Sequence, residues 1–191
     1  MEKKIFSLVV ALVIVLVATV GLVIYSQTAE EPEENVQKNE LVRTDIINSA
    51  DGDGYKTYKS ENGYTVRYPE KYTPQRMARA VDFILEDEES KSNLNIVTAK
   101  NDGTLKSMSE EDFSASIAET GMSVTMLSYE STDLNGAPAT VAKYIYNGNK
   151  VTQVIVILED FGYNITVTES PDVTDYVSDE LENIWKSFTL D

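Results

Sequence analysis

Carboxylates and tyrosines are the side chains of this chain that could do acid–base or metal chemistry, because its 191 residues include no histidine and no cysteine. Without these two residue types the chain cannot form a Ser-His-Asp or Cys-His catalytic site, a disulfide, or a metal site built on imidazole or thiolate. The adjacent carboxylates Glu159 and Asp160 could in principle act as acid and base in a glycosidase-like site. They stand at a predicted tight turn, where neighbouring side chains diverge, so we predict no catalytic residues and no enzyme activity.

A partial calcium-loop pattern occurs in the stretch SADGDGY, in which Gly54 would occupy the sixth position of the loop. Asp51 and Asp53 then take the third and fifth positions, which suits the oxygen ligands that calcium prefers. The first and twelfth positions fall on Ser49 and Ser60, although the loop needs a glutamate at the twelfth. Because the pattern fails at both ends, we interpret the stretch as a flexible linker and predict no metal site and no cofactor.

The charge of the chain bears on the class of partner. There are 32 acidic and 16 basic residues, a net charge of −16, and such a surface repels nucleic acid phosphates and anionic lipid headgroups. We therefore predict no nucleic acid partner, whereas a basic protein or divalent cations are compatible with this charge. The acidic run at residues 86–89 follows a predicted strand, and we interpret it as a solubilising sheet edge, with a patch for a basic partner or cation as the alternative.

Tyrosine is the main aromatic residue, with eleven copies in the chain. Aromatic side chains on one sheet face can stack on sugar rings or peptides, but they more often pack in the core and across strands. We expect core and cross-strand packing for the group that comprises Tyr55, Tyr58, Tyr64, Tyr68, Tyr144 and Tyr146.

The elements that would position these side chains begin with an apolar N-terminal segment. Residues 5–25 form a stretch of 21 residues without a charge, which as a helix spans roughly 30 Å, the thickness of a bilayer core. Lysines precede it and glutamates follow it, so the positive-inside rule predicts residues 1–4 as a cytoplasmic tip and the rest of the chain outside. We predict an uncleaved signal anchor in the lipid bilayer, with a signal peptide cleaved after Ala29 as the alternative. Residues 26–54 are polar and acidic, which predicts a flexible linker.

Residues 55–191 are predicted to form one domain in which Asn-Gly pairs mark the turns. Such a pair readily adopts the positive φ angles of a two-residue hairpin turn, and the glycines of the three pairs are Gly63, Gly136 and Gly148. YKTYKSENGYTVRYP is predicted as a hairpin that ends at Pro69, and PATVAKYIYNGNKVTQVIVILED as a longer one. The alternation in YNITVT predicts a half-buried antiparallel strand, whereas VTQVIVIL, apolar on both faces, predicts a strand in the sheet centre. Further strands are predicted in RAVDFILED, NLNIVTAK and MSVTMLSYEST.

Two segments with helical periodicity interrupt the strands. SMSEEDFSASIAETG begins with a serine cap and ends at Gly121, and SPDVTDYVSDELENIWKSF begins after a cap at Ser170 or Asp172. The second segment has an apolar stripe on one face, whose C-terminal members are the predicted structural anchors of the chain end: Leu181, Ile184, Trp185 and Phe188. A helix with such a stripe must lie on a sheet, so the predicted fold class is α+β, with an antiparallel sheet sandwiched by helices.

Three stretches, NGYTVRYPEKYT, DLNGAPATVAKYIY and IWKSFTL, resemble the PsbP-like domain. The fold of that domain is shared with DcrB-type bacterial lipoproteins and with a nuclear import factor that binds the GTPase Ran. The resemblance covers about residues 55–191, and it implies an antiparallel sheet between helices and an accessory, chaperone or assembly role without catalytic residues. Two features depart from the family: Tyr72 lies where tryptophan is frequent, and there is no cysteine to receive a lipid anchor.

The sequence therefore predicts a single-pass cell-membrane protein whose extracytoplasmic, non-enzymatic domain binds or assists an unidentified protein partner. The alternative is a domain that binds a small or apolar ligand, such as a lipid or a cell-wall fragment, between sheet and helix. An enzyme that uses carboxylates is the third interpretation. A filled core with an exposed apolar surface would favour the first interpretation, a pocket lined by tyrosines and leucines the second, and converging buried carboxylates the third.

Overall fold

The structure is a computed structural model, and it describes residues 49–50, 54–77 and 81–191. The predicted membrane anchor at residues 5–25 and most of the predicted linker lie outside the described residues. Within the described part of the chain, neither helix has the length and apolar character needed to span a membrane. The described chain divides into two compact units, of which the smaller is residues 108–123.

The smaller unit contains one helix, α1, at Glu110–Glu119. Ser109 caps it, since the Ser109 hydroxyl accepts a hydrogen bond from the Asp112 amide at 3.1 Å. Acidic residues fill the first turn, where they suit the positive end of the helix dipole. The helix ends at the cap residue Thr120, and Gly121 follows with a φ of +80°. The serine cap and the glycine stop predicted from the sequence are both present.

The larger unit contains eleven strands and the second helix, α2, at Asp175–Lys186. In chain order the strands are β1 Ser49–Ala50, β2 Tyr55–Lys59, β3 Tyr64–Pro69, β4 Gln75–Met77, β5 Val81–Glu86, β6 Asn93–Lys100, β7 Thr125–Leu134, β8 Ala137–Tyr146, β9 Asn149–Ile157, β10 Phe161–Glu169 and β11 Thr189–Leu190. They form a four-stranded sheet in the order β1-β2-β3-β11 and a seven-stranded sheet in the order β4-β5-β6-β10-β9-β8-β7. Every pairing is antiparallel, so the α+β prediction is confirmed.

Asn-Gly turns set the register of the longest strands. Asn135 and Gly136 join β7 to β8 with φ angles of +53° and +92°, and Asn147 and Gly148 join β8 to β9 with φ angles of +49° and +82°. Positive φ at both central residues is the geometry of the tight hairpin turn that matches the twist of the flanking strands. The first hairpin differs, because a longer connection joins β2 to β3 and within it only Gly63 has a positive φ, at +80°.

One hydrophobic core joins the two sheets and α2. The last aromatic residue of the chain, Phe188, is fully buried there, with its ring centroid 5.2 Å from that of Tyr64 and 5.4 Å from that of Tyr163. The apolar stripe of α2 faces the same core, and its buried members are Val177, Leu181, Ile184 and Trp185. Aromatic packing therefore fixes the end of the chain against both sheets.

The boundaries of α2 differ from the prediction. Its cap is Thr174, whose hydroxyl accepts from the Val177 amide at 3.3 Å, so the predicted cap at Ser170 or Asp172 was wrong. Phe188 lies beyond the last helical turn rather than within the helix. The reason lies in the turn between β7 and β8, where the Asn135 side-chain amide donates to the carbonyl oxygens of Lys186 and Phe188, both at 2.8 Å. These bonds satisfy carbonyl groups that a longer helix would bond internally.

Three further features correct the sequence prediction. There are two sheets rather than one. The hairpin β2–β3 pairs with β1 on one side and with β11 on the other, and these four strands form a sheet separate from the seven-stranded one. Ser49 pairs with Thr57, so a strand lies within the stretch that was expected to be linker. The strand β10 is buried on both faces rather than half-buried, since its polar residues Asn164, Thr166 and Thr168 are covered as well.

Candidate functional site

The acidic run at residues 86–89 lies at the end of β5 and in the turn that follows it. Glu86 ends β5 and lies 3.5 Å from the Lys91 ammonium, and Asp87 accepts hydrogen bonds from the amide and the hydroxyl of Ser90, both at 2.8 Å. Burial raises the pKa of Asp87, but these hydrogen bonds and the charge of Lys71 outweigh it, so the pKa lies below its ordinary value. The run therefore stabilises the connection between β5 and β6.

The other acidic candidates are also not brought together. Glu159 and Asp160 are exposed in the turn between β9 and β10, and the Asp160 carbonyl oxygen accepts from the Asn101 amide at 2.7 Å. Asp51 and Asp53 lie outside the described residues. Among the residues that are described, no group of three or more acidic side chains is placed to hold a metal ion.

Two carboxylates are buried among the residues whose burial is described, and each is paired with a lysine. Glu169, 7 % exposed, lies 2.8 Å from the Lys150 ammonium and accepts from the Ser178 hydroxyl at 2.7 Å. Glu180, 6 % exposed, lies 2.6 Å from the Lys71 ammonium. A buried carboxylate that is compensated in this way is a structural ion pair, and the two pairs are separate from one another.

The Glu180 pair is enclosed by tyrosines. The Lys71 ammonium lies 4.9 Å from the ring centroids of both Tyr72 and Tyr176, and the Tyr72 hydroxyl donates to Glu180 at 3.1 Å. Burial and the neighbouring Glu180 charge raise the pKa of Tyr72 well above its ordinary value, so its hydroxyl stays a donor. This arrangement joins the segment after β3 to α2. It includes Tyr72, which lies where members of the PsbP-like family frequently have tryptophan.

Opposite the core, the seven-stranded sheet has a polar face. Strand register places Asn95 of β6 opposite Thr166 of β10, and Thr166 opposite Gln153 of β9, so the three side chains cross the sheet in line. Asn164 and Thr168 lie on the same face of β10, two residues to either side of Thr166. We call these five residues the polar cluster, and none of them is more than 5 % exposed.

A chain of hydrogen bonds runs through the polar cluster but does not reach all of it. The Tyr144 hydroxyl donates to Gln153 at 3.1 Å, the Gln153 amide donates to Asn164 at 2.9 Å, and the Asn164 amide donates to Thr166 at 2.9 Å. Two buried atoms of the cluster, Asn95 Oδ1 and Thr168 Oγ1, have no hydrogen-bond partner in the described structure. Buried polar groups are satisfied in the great majority of native proteins, so two orphaned atoms on one face need an explanation.

A second unusual surface is the outer edge of β7, which we call the β7 edge. The strand has ten residues, borders the seven-stranded sheet, and pairs only with β8 among the described strands. Its side chains are mostly exposed, and Leu127 at 53 % is one of the two exposed large apolar side chains of the described chain. A register shift between Met126 and Ser128 is the only interruption of its pairing with β8.

The comparisons with known proteins bear on the fold. A search of protein-family models and a search of curated proteins give no match to this sequence. The structure is similar to the solution structure of cyanobacterial PsbP (CyanoP) from Synechocystis sp. PCC 6803, with a TM-score of 0.53, and the match covers 76 % of this chain and 99 % of that one. The fold is PsbP-like. The sequence identity of 15 % limits this conclusion to the fold.

A weaker likeness is to a crystal structure of a protein from Bacteroides thetaiotaomicron. It has a TM-score of 0.44 and 11 % identity, and it covers 71 % of this chain and 48 % of that one, so it adds nothing to the assignment.

Sequence reasoning found the tyrosines but missed the polar cluster. Tyr58, Tyr64 and Tyr68 pack in the core, as expected, and Tyr58 and Tyr68 both contact Phe83 at centroid distances of 5.0 and 5.7 Å. Tyr144 lies instead on the polar face. A signal was present, since polar residues alternate with apolar ones in NLNIV and YNITVT, but YNITVT was interpreted as a half-buried strand.

Proposed function

We propose that this chain is a non-enzymatic accessory module that binds a protein partner, and that it does so by accepting an extended segment of the partner at the β7 edge. The observation that supports this proposal is the geometry of β7: ten residues at the rim of the sheet, without a strand on the outer side in the described structure. At about 3.4 Å per residue, the edge runs over roughly 34 Å, and no described strand pairs with its outer side. Strand addition uses such an edge, with main-chain hydrogen bonds for affinity and alternate side chains for specificity.

The composition of β7 favours a basic segment as the partner. Its sequence TMLSYESTDL includes Glu130 and Asp133 but no lysine, arginine or proline. Lysine and proline are the residues with which proteins protect exposed edges, so this edge has little protection beyond its register shift. The chain as a whole has a net charge of −16, which attracts a basic partner and repels an acidic one.

The absence of enzyme activity is part of the proposal. The buried carboxylates Glu169 and Glu180 are each compensated by a lysine, and burial raises the pKa of Tyr72 and Tyr144 further from neutrality. Neither tyrosine is therefore poised to transfer a proton near pH 7. The PsbP-like fold agrees with an accessory role, which is the role that the resemblance to the PsbP-like domain also implies.

We place the domain outside the cell, held at the membrane by residues 5–25. The support is the sequence, in which an uncharged stretch long enough to span a bilayer has lysines before it and glutamates after it. Protease added to intact spheroplasts should then digest the domain, and the N-terminal tip should become accessible only after the membrane is dissolved. Protection of the domain in intact spheroplasts would contradict this location.

Site-specific crosslinking tests the β7 edge. A photoreactive amino acid replaces Thr132, which is exposed on β7, in the full chain in its native membrane, and a matched control replaces Asn183, which is exposed on α2. We expect one protein to crosslink at position 132 and not at position 183. Mass spectrometry of the crosslinked peptide should place the attachment in an extended segment rich in lysine and arginine.

A pair of charge variants tests the mode of binding. Leu127→Lys places a repulsive charge on the edge and should abolish the crosslink at position 132, whereas Asn183→Lys, which adds the same charge on α2, should leave it unchanged. Equal crosslinking at positions 132 and 183, or attachment to a helical or acidic segment, would overturn the proposal.

The polar cluster supports a second candidate function, the binding of a small ligand on the sheet face. The two unpartnered buried atoms, Asn95 Oδ1 and Thr168 Oγ1, are the specific observation in its favour. The cluster is polar, so it does not favour the lipid named in the sequence prediction.

A further inference from the structure

The polar cluster is unusual because of where its polar groups are. Interior positions of central strands are normally apolar, and on the core side β10 follows that rule with Tyr163, Ile165 and Val167. The opposite side of the same strand instead has Asn164, Thr166 and Thr168, all nine-tenths or more buried. Burying a polar group without a hydrogen bond disfavours folding, so packing alone gives no reason for these residues.

We propose that the polar cluster binds a neutral, polyhydroxylated ligand, of the class of a sugar unit in a surface or cell-wall glycan. This inference rests on the second candidate function and names its ligand class. It is independent of the β7 edge, which lies at the rim of the sheet, two strands away from Gln153.

The chemistry of the cluster selects hydroxyl groups. Its five members are asparagine, glutamine and threonine, which are neutral and both donate and accept hydrogen bonds. A hydroxyl of the ligand can donate to Asn95 Oδ1, and another can either donate to Thr168 Oγ1 or accept from it. A carboxylate or phosphate offers no donor to Asn95 Oδ1, and an ammonium would be buried among neutral side chains without an opposite charge.

The position of the two unpartnered atoms suits one small ring. Asn95 is opposite Thr166 and Asn93 is opposite Thr168, so Asn95 and Thr168 are diagonal neighbours on adjacent strands. Diagonal neighbours are about 7–8 Å apart, within reach of two hydroxyls on one ring. Val97 and Val151, apolar and buried, flank the pair and could contact the carbon face of a sugar.

The sheet geometry argues against a peptide at this place. An added strand pairs with the edge of a sheet, whereas the main-chain groups of β6, β10 and β9 are already bonded to one another. A ligand of the cluster must therefore be recognised by side chains alone. Since both unpartnered atoms are fully buried, the ligand gains access by local opening, and binding should be slow compared with diffusion.

Nuclear magnetic resonance of the full chain in a detergent without a sugar headgroup, such as an alkylamine oxide, tests the proposal. The probes are N-acetylglucosamine, its short β-1,4-linked oligomers, and maltose. We expect at least one probe to shift the side-chain amide signals of Asn95, Gln153 and Asn164 in a saturable manner. Asn95→Ala and Thr168→Val should each weaken that binding by about tenfold, the effect of one or two lost hydrogen bonds.

Two matched variants control for general effects. Asn183→Ala removes an exposed amide on α2, and Thr189→Val removes an exposed hydroxyl on β11, so neither should change the affinity. The proposal is overturned if no probe shifts the three amide signals, or if the Asn95 and Thr168 variants bind as the parent does.

A further comparison separates the ligand class from the candidate function. Fatty acids and a basic peptide are titrated under the same conditions. If one of them shifts the cluster and no sugar does, the small-ligand function stands and the sugar class is wrong. If nothing shifts the cluster, both are wrong, while the crosslinking result at the β7 edge is unaffected.

Discussion

Replacing Thr168 with valine should stabilise the protein, although most substitutions at buried positions destabilise. Valine has nearly the shape of threonine and lacks the hydroxyl, and the Thr168 hydroxyl is buried without a hydrogen-bond partner in the described structure. Thr168 is 5 % exposed and lies on an interior strand, where valine has a higher strand propensity than threonine. Removing an unsatisfied buried hydroxyl recovers its desolvation cost, so we expect the free energy of unfolding to rise by about 1–2 kcal/mol.

A variant two residues away gives the opposite expectation. Thr166 lies on the same face of the same strand, but its hydroxyl oxygen accepts from the Asn164 amide at 2.9 Å. Thr166→Val leaves that buried amide hydrogen without a partner, so the free energy of unfolding should fall by about 1–3 kcal/mol. Urea denaturation of the full chain in micelles, followed by the fluorescence of Trp185, measures both changes. Thr132→Val on the exposed side of β7 should stay within about 0.5 kcal/mol of the parent.

The signs of the two changes are the test. If Thr168→Val destabilises by more than about 1 kcal/mol, the Thr168 hydroxyl has a partner, such as an ordered water, and the orphaned-group argument fails. If both variants change stability in the same direction and by the same amount, the difference between Thr166 and Thr168 in hydrogen bonding has no energetic consequence. A saturating sugar ligand should cancel most of the stability that Thr168→Val gains over the parent, since tenfold tighter binding to the parent corresponds to about 1.4 kcal/mol.

Three further predictions follow from the core, the helix end and the tyrosines. Trp185→Ala should lower the free energy of unfolding by about 3–5 kcal/mol, because Trp185 is 8 % exposed in the core; an unchanged urea midpoint in circular dichroism would contradict this. Asn135→Gly keeps the positive φ but loses both hydrogen bonds to the end of α2, so the free energy of unfolding should fall by about 1 kcal/mol. Thermal or urea unfolding measures this change, and an unchanged stability would show that the two bonds are not formed in solution. Burial raises the pKa of Tyr72 and Tyr144 above 10.0. The unfolded chain therefore loses these protons at lower pH than the folded chain does, so the free energy of unfolding should fall as the pH rises above 10. Tyrosinate absorbance during an alkaline titration checks this, and tyrosines that all ionise near pH 10 before unfolding would refute it.

Much of the fold was accessible from local sequence signals. The Asn-Gly pairs at 135–136 and 147–148 predicted tight hairpins, because few other residue pairs accept positive φ at both positions. The stripe from Val177 to Trp185 predicted a helix on a sheet, since its spacing puts the apolar side chains on one face. Both signals are local, and tertiary contacts reinforced them.

Features that depend on distant contacts were not accessible. The helix α2 ends at Lys186 because the Asn135 side chain, on a turn far away in sequence, bonds the carbonyl groups there. The smaller sheet gains its last strand when Leu190 pairs with Tyr64, a contact that no local pattern indicates. The same limit applies to the polar cluster, because alternation of polar and apolar residues shows which residues share a face but not whether that face is covered.

The two faces of β10 explain how the domain tolerates its polar cluster. On one face, Tyr163, Ile165 and Val167 join a core that α2 and Phe188 complete, and this core supplies most of the free energy that favours folding. The other face therefore need not be optimal for stability. Its two orphaned groups each lower the free energy of unfolding by about 1–3 kcal/mol, and the fold tolerates them only while the core is intact. Natural proteins break local rules of this kind mainly at functional positions. On this reasoning Thr168→Val should rescue part of the stability that Trp185→Ala removes, and the two effects should add, because the residues lie on opposite sides of the sheet and share no contact among those described.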